Sequence, residues 1–261
     1  MNKVILILFL LFSYSAHASK TDKSCFIAKE NNGKILKQEG DCDTSYTPQS
    51  TFKIALSLIG FDAGILLDKY NPSWSLPEDV DPYINTCKGD HNPREWMRDS
   101  CLWYSNILAK KLGDEPFEQY VKKLVYGNMD VSGGMTNASW VSSSLKISPR
   151  EQITFIEKMI DHKFPISNKS YDKTKEIMFI EEMAGGWKLY GKTGSGNLKN
   201  KNGNMIDIQH GWFVGYIEKD KRQIIFASHL VDDKKQETFA SLRAKSQTLI
   251  KLRYIIEELE K

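Results

Sequence analysis

The sequence predicts an α+β fold in which strands from both ends of the chain form one antiparallel sheet flanked by helices. Three observations lead to this prediction. The segment that begins at Cys25 alternates and turns at Asn32-Gly33, as a β-hairpin does. Helical patterns fill the middle of the chain, and strand-like segments return from Trp187 onward, before a last helix. The simplest packing is a central sheet with a helical lobe over approximately residues 67–176.

The first 18 residues match a secretory signal peptide. Lys3 makes the start basic, Val4–Phe12 is an apolar run, and Ala16-His17-Ala18 is a small-x-small cleavage pattern. The apolar run is shorter than the roughly 20 residues that a membrane span needs. We therefore expect cleavage after Ala18, export to the periplasm and no membrane anchor. Residues 19–261 can bury a core as one catalytic domain.

Charge and composition argue against several function classes. The 36 basic and 33 acidic residues give a net charge of +3 and are mixed along the chain, unlike the basic stripe of a nucleic-acid binder. The five histidines show neither HExxH nor paired spacing, and the four cysteines make no metal clip, so no metal is expected. Cys25 and Cys42 flank the hairpin and are the better-placed disulfide pair.

Capping residues mark the first helices. Thr47 is the predicted N-cap of "TPQSTFKIALSLIGFDAG", with Pro48 at the first helical position and the end near Gly64. A second helix begins in the same way at Asn92-Pro93. Two more helical segments follow, "YSNILAKKLG" and the amphipathic "EPFEQYVKKLVYG".

The second half of the chain changes from helix to strand. Ser148 and Glu151 form a capping box at the start of "SPREQITFIEKMIDHKF". The segments "WKLYGKTGSG", "HGWFVGYIEKD" and "RQIIFASHLVD" then follow a strand pattern with short turns. A last amphipathic helix, "ETFASLRAKSQTLIKLRYIIEELE", closes the chain.

Ser50 and Lys53 are the first candidate catalytic pair. After an N-cap at Thr47, the Ser50 amide would lack an intrahelical partner, and the helix dipole would favour negative charge there. Lys53 lies on the same helix face, and its apolar neighbours would desolvate its ammonium and lower its pKa. A neutral amine beside a serine hydroxyl is a nucleophile with its base. Taken alone, this tetrapeptide also fits a core helix whose lysine reaches solvent.

Further motifs follow in a fixed order. They include Ser100 in "SCLW", the "YGN" at 126–128, Trp140 before "SSSLKIS", and Lys192 in "KTGSG". Together "PQSTFKIALSLIGFDAG", "SCLWYSN", "YGNMDVSGG", "SWVSSSLKISPREQ", "YGKTGSG", "GWFVGY" and "SLRAKS" resemble the class D β-lactamases over essentially the whole mature chain. "YGN" with "STFK" is specific to this class, whereas SxxK and KTG are shared with other penicillin-recognising enzymes.

The resemblance implies a DD-peptidase/β-lactamase-like fold and hydrolysis of β-lactams, with Ser50 as the nucleophile that forms an acyl-enzyme. Lys53 would carry a carbamate derived from CO₂ and act as general base, with no other cofactor. Trp140 would donate its indole N–H to the carbamate. Ser100 would pass a proton to the leaving nitrogen, with Lys192 near it.

The substrate-binding residues are implied in the same way. The amides of Ser50 and Ser195 would form the oxyanion hole, and Gly194 would allow a ligand to approach the strand closely. Thr193 and Arg243 would hold the substrate carboxylate. Without the resemblance, Arg243 fits a solvated residue near the start of the last helix.

Two residues depart from the family pattern. Leu102 stands where the family usually has Val and would narrow the substrate site around the carbamate or its water. Val141 stands where Leu is frequent and would loosen the same pocket. Neither change removes a catalytic group, but both bear on the rate of deacylation.

Three other interpretations compete with the enzyme. Residues 186–193 fit GxxxxGK[ST], yet the interior of this match is strand-like and no helix pattern follows, which argues against an ATPase. A penicillin-binding sensor domain would acylate and stay acylated, but such sensors are usually part of a membrane-spanning chain. "YGN" and Trp140 argue against a D,D-peptidase. The preference among β-lactams and the choice between monomer and homodimer stay open.

Overall fold

A computed structural model describes residues 23–134 and 138–261. The predicted signal peptide lies outside these residues. Within the described residues, no helix has the length and apolar character needed to cross a membrane.

Six strands form one antiparallel sheet in the order β2-β1-β6-β5-β4-β3. The strands are β1 (Cys25–Glu30), β2 (Ile35–Gly40), β3 (Phe179–Met183), β4 (Trp187–Lys199), β5 (Met205–Lys219) and β6 (Arg222–Val231). The N-terminal hairpin joins the C-terminal strands where β1 pairs with β6. The predicted α+β fold with a sheet from both chain ends is therefore confirmed.

Helices cover both faces of this sheet. Those of the described residues are α1 (Lys53–Asp62), α2 (Pro93–Asp99), α3 (Leu102–Leu112), α4 (Asp114–Lys123), α5 (Ser139–Ser142), α6 (Pro149–Ile160), α7 (Asn168–Met178) and α8 (Ala240–Leu259). Strand alternation divides the core. On β5, Phe213 packs with Leu252 of α8, whereas Trp212 and Val214 point to the other face, into the core that includes α1.

The capping predictions hold at two helices and fail at one. Ser148 and Glu151 form the predicted capping box, and Asn92 caps α2. Thr47 is not the cap of the first helix, because Gln49 has a φ of 54° and interrupts the helical backbone after it. A 3₁₀ turn, Gln49–Phe52, therefore precedes α1, and Ser50 lies in that turn. The Thr51 hydroxyl donates to the Pro48 carbonyl (2.6 Å) and closes the turn.

Two disulfides stabilise the fold. The better-placed pair is bridged, since Cys25 is bonded to Cys42 beside the hairpin. A second bridge, Cys87–Cys101, was not predicted. The sequence pattern could not predict this bridge. The chain between α1 and α2 is mostly irregular, so no predicted helix or strand indicated that Cys87 lies near Cys101.

Candidate active site

Ser50 lies against the exposed edge of β4. Strand β3 pairs with β4 only as far as Tyr190, so among the described residues the part of β4 beyond it has β5 as its one strand neighbour. The Ser50 turn fills part of this gap, and a Cβ atom on Gly194 would come within 3.0 Å of the backbone nitrogens of Ser50 and Thr51. The absence of a side chain at Gly194 thus lets the nucleophile's backbone approach the strand.

Lys53 is the first residue of α1 and is almost completely buried, at 1% exposure. Its Nζ is 3.3 Å from the Ser50 Oγ. Burial among apolar side chains lowers the pKa of Lys53 well below its ordinary value, and the nearby Lys192 charge lowers it further. The structure thus brings together the predicted pair, a hydroxyl and an amine whose neutral form is favoured by burial.

Lys192 is buried on β4. Its Nζ donates to the Thr193 carbonyl (3.1 Å) and is 3.4 Å from the Thr193 hydroxyl. Burial lowers the pKa of Lys192 to about 7, with a further lowering by Lys245 and an opposing effect of Asp99. Because Asp99 immediately precedes Ser100, this interaction places the predicted proton carrier and Lys192 in the same region.

Ser100 has an unusual backbone conformation. It ends α2 with φ 70° and ψ 28°, in the left-handed region that a residue with a Cβ rarely adopts. Its N–H donates to the Trp96 carbonyl (3.0 Å), and the next residue, Cys101, is bonded to Cys87. The indole of Trp103 donates to the Cys87 carbonyl (2.9 Å), which ties α3 to the same disulfide. Ser100 is therefore held by a helical hydrogen bond of its own N–H on one side and by the disulfide of Cys101 on the other.

Trp140 lies in α5 and stacks on Phe52, the residue before Lys53, with ring centroids 5.3 Å apart. The Trp140 side chain is buried. The Gln49 side chain donates to the Val141 carbonyl and so links the Ser50 turn to α5. These contacts bring Trp140 to the helix end that carries Lys53.

The "YGN" motif fixes the segment that follows Trp140. A Cβ on Gly127, whose φ is 52°, would lie only 2.0 Å from the Lys146 carbonyl oxygen. The Asn128 side chain donates to the Ser144 carbonyl and accepts from the Lys146 N–H, both at 2.9 Å. The motif therefore acts through backbone approach and loop hydrogen bonds.

Arg243 forms an ion pair, and Ser195 forms hydrogen bonds, with residues that follow β6. Arg243 makes a two-pronged ion pair with the buried Asp232, with N–O distances of 2.7 and 2.6 Å. The Ser195 hydroxyl donates to the Ser241 hydroxyl (2.7 Å) and accepts from its N–H (3.1 Å). The carboxylate-binding role of Arg243 stays a prediction.

A buried histidine pair supports the Ser50 turn and was missed in the sequence. The His210 Nδ1 is 3.0 Å from the His229 Nε2, and the His210 Nε2 is 3.3 Å from the Gln49 side-chain nitrogen. Burial lowers the pKa of His210 to about 4 and that of His229 well below its ordinary value. Both rings are therefore neutral at physiological pH. The alternation along β5 and β6 could have predicted their burial but not their mutual contact.

We expect these histidines to weaken the fold in acid. Since the pKa of His210 falls to about 4 on folding, the unfolded chain alone takes up this proton between about pH 6.5 and 4. The effect is absent above that window, grows as the pH falls through it, and reaches about 2 kcal/mol at pH 5. Urea unfolding at pH 7.5 and 5 should therefore show a smaller loss of stability in His210→Gln than in the unsubstituted protein.

The matched control for this prediction is His162→Gln, at an exposed histidine. It should keep the pH dependence of the unsubstituted protein. An unchanged pH dependence in His210→Gln would contradict the assignment of the acid sensitivity to this pair.

Comparison with known proteins agrees with this geometry. Residues 23–251 match the penicillin-binding protein transpeptidase domain family. The chain is 36% identical to beta-lactamase OXA-9 of Klebsiella pneumoniae over 269 residues, with 97% of each chain covered. The crystal structure of the OXA-427 class D beta-lactamase is similar, with a TM-score of 0.84 and 35% identity over 90% of this chain and 99% of that chain. The chain belongs to the class D β-lactamase family. Beta-lactamase OXA-1 of Escherichia coli is 34% identical over 271 residues, with 95% of each chain covered.

Membership of the class D β-lactamases confirms the family and the enzyme class that the sequence predicted. The structure also argues against a nucleotide-binding loop at residues 186–193. Lys192 and Thr193 lie within β4, which continues to Lys199, so they do not lead into a helix N-terminus that could bind phosphate.

The two departures from the class D pattern differ in their surroundings. Leu102, at the start of α3, is 40% exposed. Val141 is half-buried and packs against the main core, and its carbonyl accepts the bond from Gln49. Their effects on deacylation stay predictions.

Proposed function

We propose that this protein hydrolyses β-lactam antibiotics through an acyl-enzyme on Ser50 and thereby confers β-lactam resistance. The observation that carries the proposal is the 3.3 Å contact between the Ser50 hydroxyl and the buried Lys53 amine, at the exposed edge of β4. A serine hydroxyl is a weak nucleophile until a neighbouring base removes its proton. This contact supports Lys53 as that base.

In acylation, the Ser50 Oγ attacks the lactam carbonyl carbon while its proton passes to the base at Lys53. The carbonyl oxygen gains negative charge, which the amides of Ser50 and Ser195 would stabilise. The contact between Gly194 and the Ser50 turn supports this pairing, because it brings β4 against the nucleophile's backbone. The lactam C–N bond then breaks, and Ser100 passes a proton to the nitrogen, with Lys192 beside it.

Lys53 has the properties that carbamate formation requires. CO₂ adds to a neutral amine, and the burial that lowers the pKa of Lys53 favours that form. Trp140 stacks on Phe52, the residue before Lys53, and its indole N–H would donate to a carbamate oxygen. The carbamate would supply the general base for acylation and for activating the water that hydrolyses the Ser50 ester. Export to the periplasm is part of this proposal and rests on the N-terminal sequence pattern.

Turnover of a chromogenic cephalosporin tests the proposal. The purified mature protein should hydrolyse many equivalents, and Ser50→Ala should lower kcat/KM by more than about 1,000-fold. The control is Ser246→Ala, at an exposed position on α8, which should keep full activity. One equivalent of product followed by no further reaction would support a penicillin sensor instead. No reaction and no acylation would overturn the proposal.

A further inference from the structure

A buried histidine lies beside the Cys87–Cys101 disulfide. One nitrogen of the His91 ring and the two sulfur atoms all lie within 4.8 Å of one another. Ligand atoms around a tetrahedral Zn²⁺ ion are separated by about 3 to 4 Å, because Zn–S bonds are about 2.3 Å long and Zn–N bonds about 2.0 Å. The three side chains are therefore close enough to share one ion once the sulfur atoms are no longer bonded to each other. The spacing of these residues along the chain did not indicate such a site.

Both ring nitrogens of His91 have a backbone carbonyl beside them. The Nε2 atom is 2.9 Å from the Thr86 carbonyl oxygen, and the Nδ1 atom is 3.4 Å from that of Gly89. A histidine that binds a metal through one nitrogen usually donates the N–H of the other to a carbonyl or carboxylate, which fixes the ring. Whichever nitrogen of His91 turns to the metal, the other keeps such an acceptor. The ring can therefore bind a metal in its neutral form and stay oriented.

Contacts other than the disulfide hold these residues in place. His91 exchanges two backbone hydrogen bonds with Trp74, both 2.9 Å long, and the next residue, Asn92, caps α2. The Trp103 indole donates to the Cys87 carbonyl (2.9 Å). The Trp103 ring also packs edge-on against the His91 ring, with centroids 5.6 Å apart. Because none of these contacts involves a sulfur atom, they can persist when the S–S bond is broken.

The Asp99 carboxylate is a candidate for the fourth ligand. Its Oδ2 atom is 3.4 Å from the His91 Nε2. Asp99 is paired with Arg98, whose side chain is 64% exposed, so the loss of this ion pair costs little. A water molecule would fill the fourth position if Asp99 keeps its pair. An ion can reach the group from the surface, because residues 88–90, next to Cys87, are exposed.

We propose that reduction of the Cys87–Cys101 bridge by a dithiol creates a Zn²⁺ site formed by the two thiolates and His91, and that the bound ion then holds Ser100 in place of the disulfide. The dithiol supplies two electrons and two protons and becomes a disulfide itself, which leaves Cys87 and Cys101 as thiols. Zn²⁺ then displaces both thiol protons. Thiolate and imidazole are ligands that Zn²⁺ prefers, and two thiolates balance its charge. Metal binding goes beyond the proposed hydrolysis and can be measured without turnover.

Titration with Co²⁺ and then Zn²⁺ tests the site, because thiolate ligands give Co²⁺ a charge-transfer absorption band. The mature protein is reduced with a phosphine and freed of reductant without air. The band should grow on addition of Co²⁺ and disappear as Zn²⁺ displaces it, with a Kd for Zn²⁺ below about 1 µM. Zn²⁺ at about 100 times its Kd should raise the Tm of the reduced protein by about 5–10 °C. The oxidised protein should show neither the band nor the shift in Tm.

The two disulfides supply matched variants. Cys25→Ala with Cys42→Ala leaves only the bridge beside His91 and, once reduced, should bind Zn²⁺ as tightly as the unsubstituted protein. Cys87→Ala with Cys101→Ala keeps the other pair of thiols and should lose the tight site. Equal Zn²⁺ affinity in the two reduced double variants would overturn the inference, because it would show that any pair of thiols in this protein suffices.

The histidine is tested separately. His91→Gln should bind Zn²⁺ at least about 100-fold more weakly after reduction, and its folding can be checked beforehand in the oxidised state. His162→Gln, at an exposed histidine, is the control and should leave the Kd unchanged. An unchanged Kd in His91→Gln, or equal binding by the oxidised and reduced proteins, would contradict the proposed ligands.

The rate of acylation by a penicillin, followed by mass spectrometry, tests the effect on Ser100. Zn²⁺ should restore most of the rate that reduction removes, and tight binding without this recovery would contradict the proposed role of the ion. A protein that is never acylated would count against the proposed hydrolysis, whereas the absorption band and the Tm would still decide whether the zinc site exists.

Discussion

Lys53→Met is expected to leave a protein that accepts at most one acyl group per molecule and then stops. The substitution removes the amine 3.3 Å from the Ser50 hydroxyl and keeps a side chain of similar length. Loss of a general base typically costs 100- to 10,000-fold in rate, so steady-state turnover should fall by about 1,000-fold or more. Any acyl group that forms on Ser50 should persist, because no base remains to activate water.

Intact-protein mass spectrometry after mixing with a penicillin measures this directly. A mass increase of one penicillin that lasts for hours, with no hydrolysed product, is the expected result. The free energy of unfolding should not fall, because Lys53 is buried among apolar side chains and Met fills a similar space without a polar group. Lys122→Met, at an exposed ion pair on α4, is the matched control and should turn over normally. Normal turnover in Lys53→Met would exclude Lys53 as the base.

Removal of the Cys87–Cys101 disulfide is expected to lower both stability and catalysis. A bridge that closes a loop of about 15 residues contributes about 3 kcal/mol to the free energy of unfolding. Ser100 precedes the bridged Cys101 and has a φ of 70°, a conformation that persists only where neighbouring contacts enforce it. Without the bridge Ser100 should relax, and a small displacement of a proton carrier should lower kcat by about 10- to 100-fold.

The second disulfide offers a matched control. Cys25→Ala with Cys42→Ala removes a bridge of similar loop length at the hairpin and should cost a similar free energy of unfolding. Its kcat, measured at a temperature where both double variants are folded, should equal that of the unsubstituted protein. Equal losses of kcat in the two double variants would show that the Cys87–Cys101 bridge acts only through general stability.

Patterns of residues close together in the sequence were sufficient to predict much of the fold. The hairpin at Asn32-Gly33, the capping box at Ser148 and the two-sided sheet follow from turn chemistry and periodicity, which depend on residues close together in the chain. The Ser50–Lys53 contact also spans a single helical turn. The class D resemblance rests on such local motifs in a fixed order.

The wrong prediction of the Thr47 cap and the missed second disulfide both involve contacts between residues that are distant in the sequence. The Thr47 cap was a sound local expectation, but Gln49 adopts a positive φ as its side chain reaches Val141 and His210, each far away in sequence. Cys87 and Cys101 likewise meet through an irregular segment for which the sequence pattern indicated no geometry.

The charges around the active site show the same division most clearly. The class D resemblance implied that Arg243 would hold the substrate carboxylate. In the structure Arg243 is paired with Asp232, which comes from the loop after β6. Four cations from α2, β4 and α8 line one cavity beside β4, and no motif in the sequence indicated that they converge. Residue types and their local spacing determine which side chains can take part in catalysis. Packing between separate helices and strands determines which charged side chains are paired and which remain free for a ligand. The reason is that Coulomb interactions depend on distance in space and not on distance along the chain.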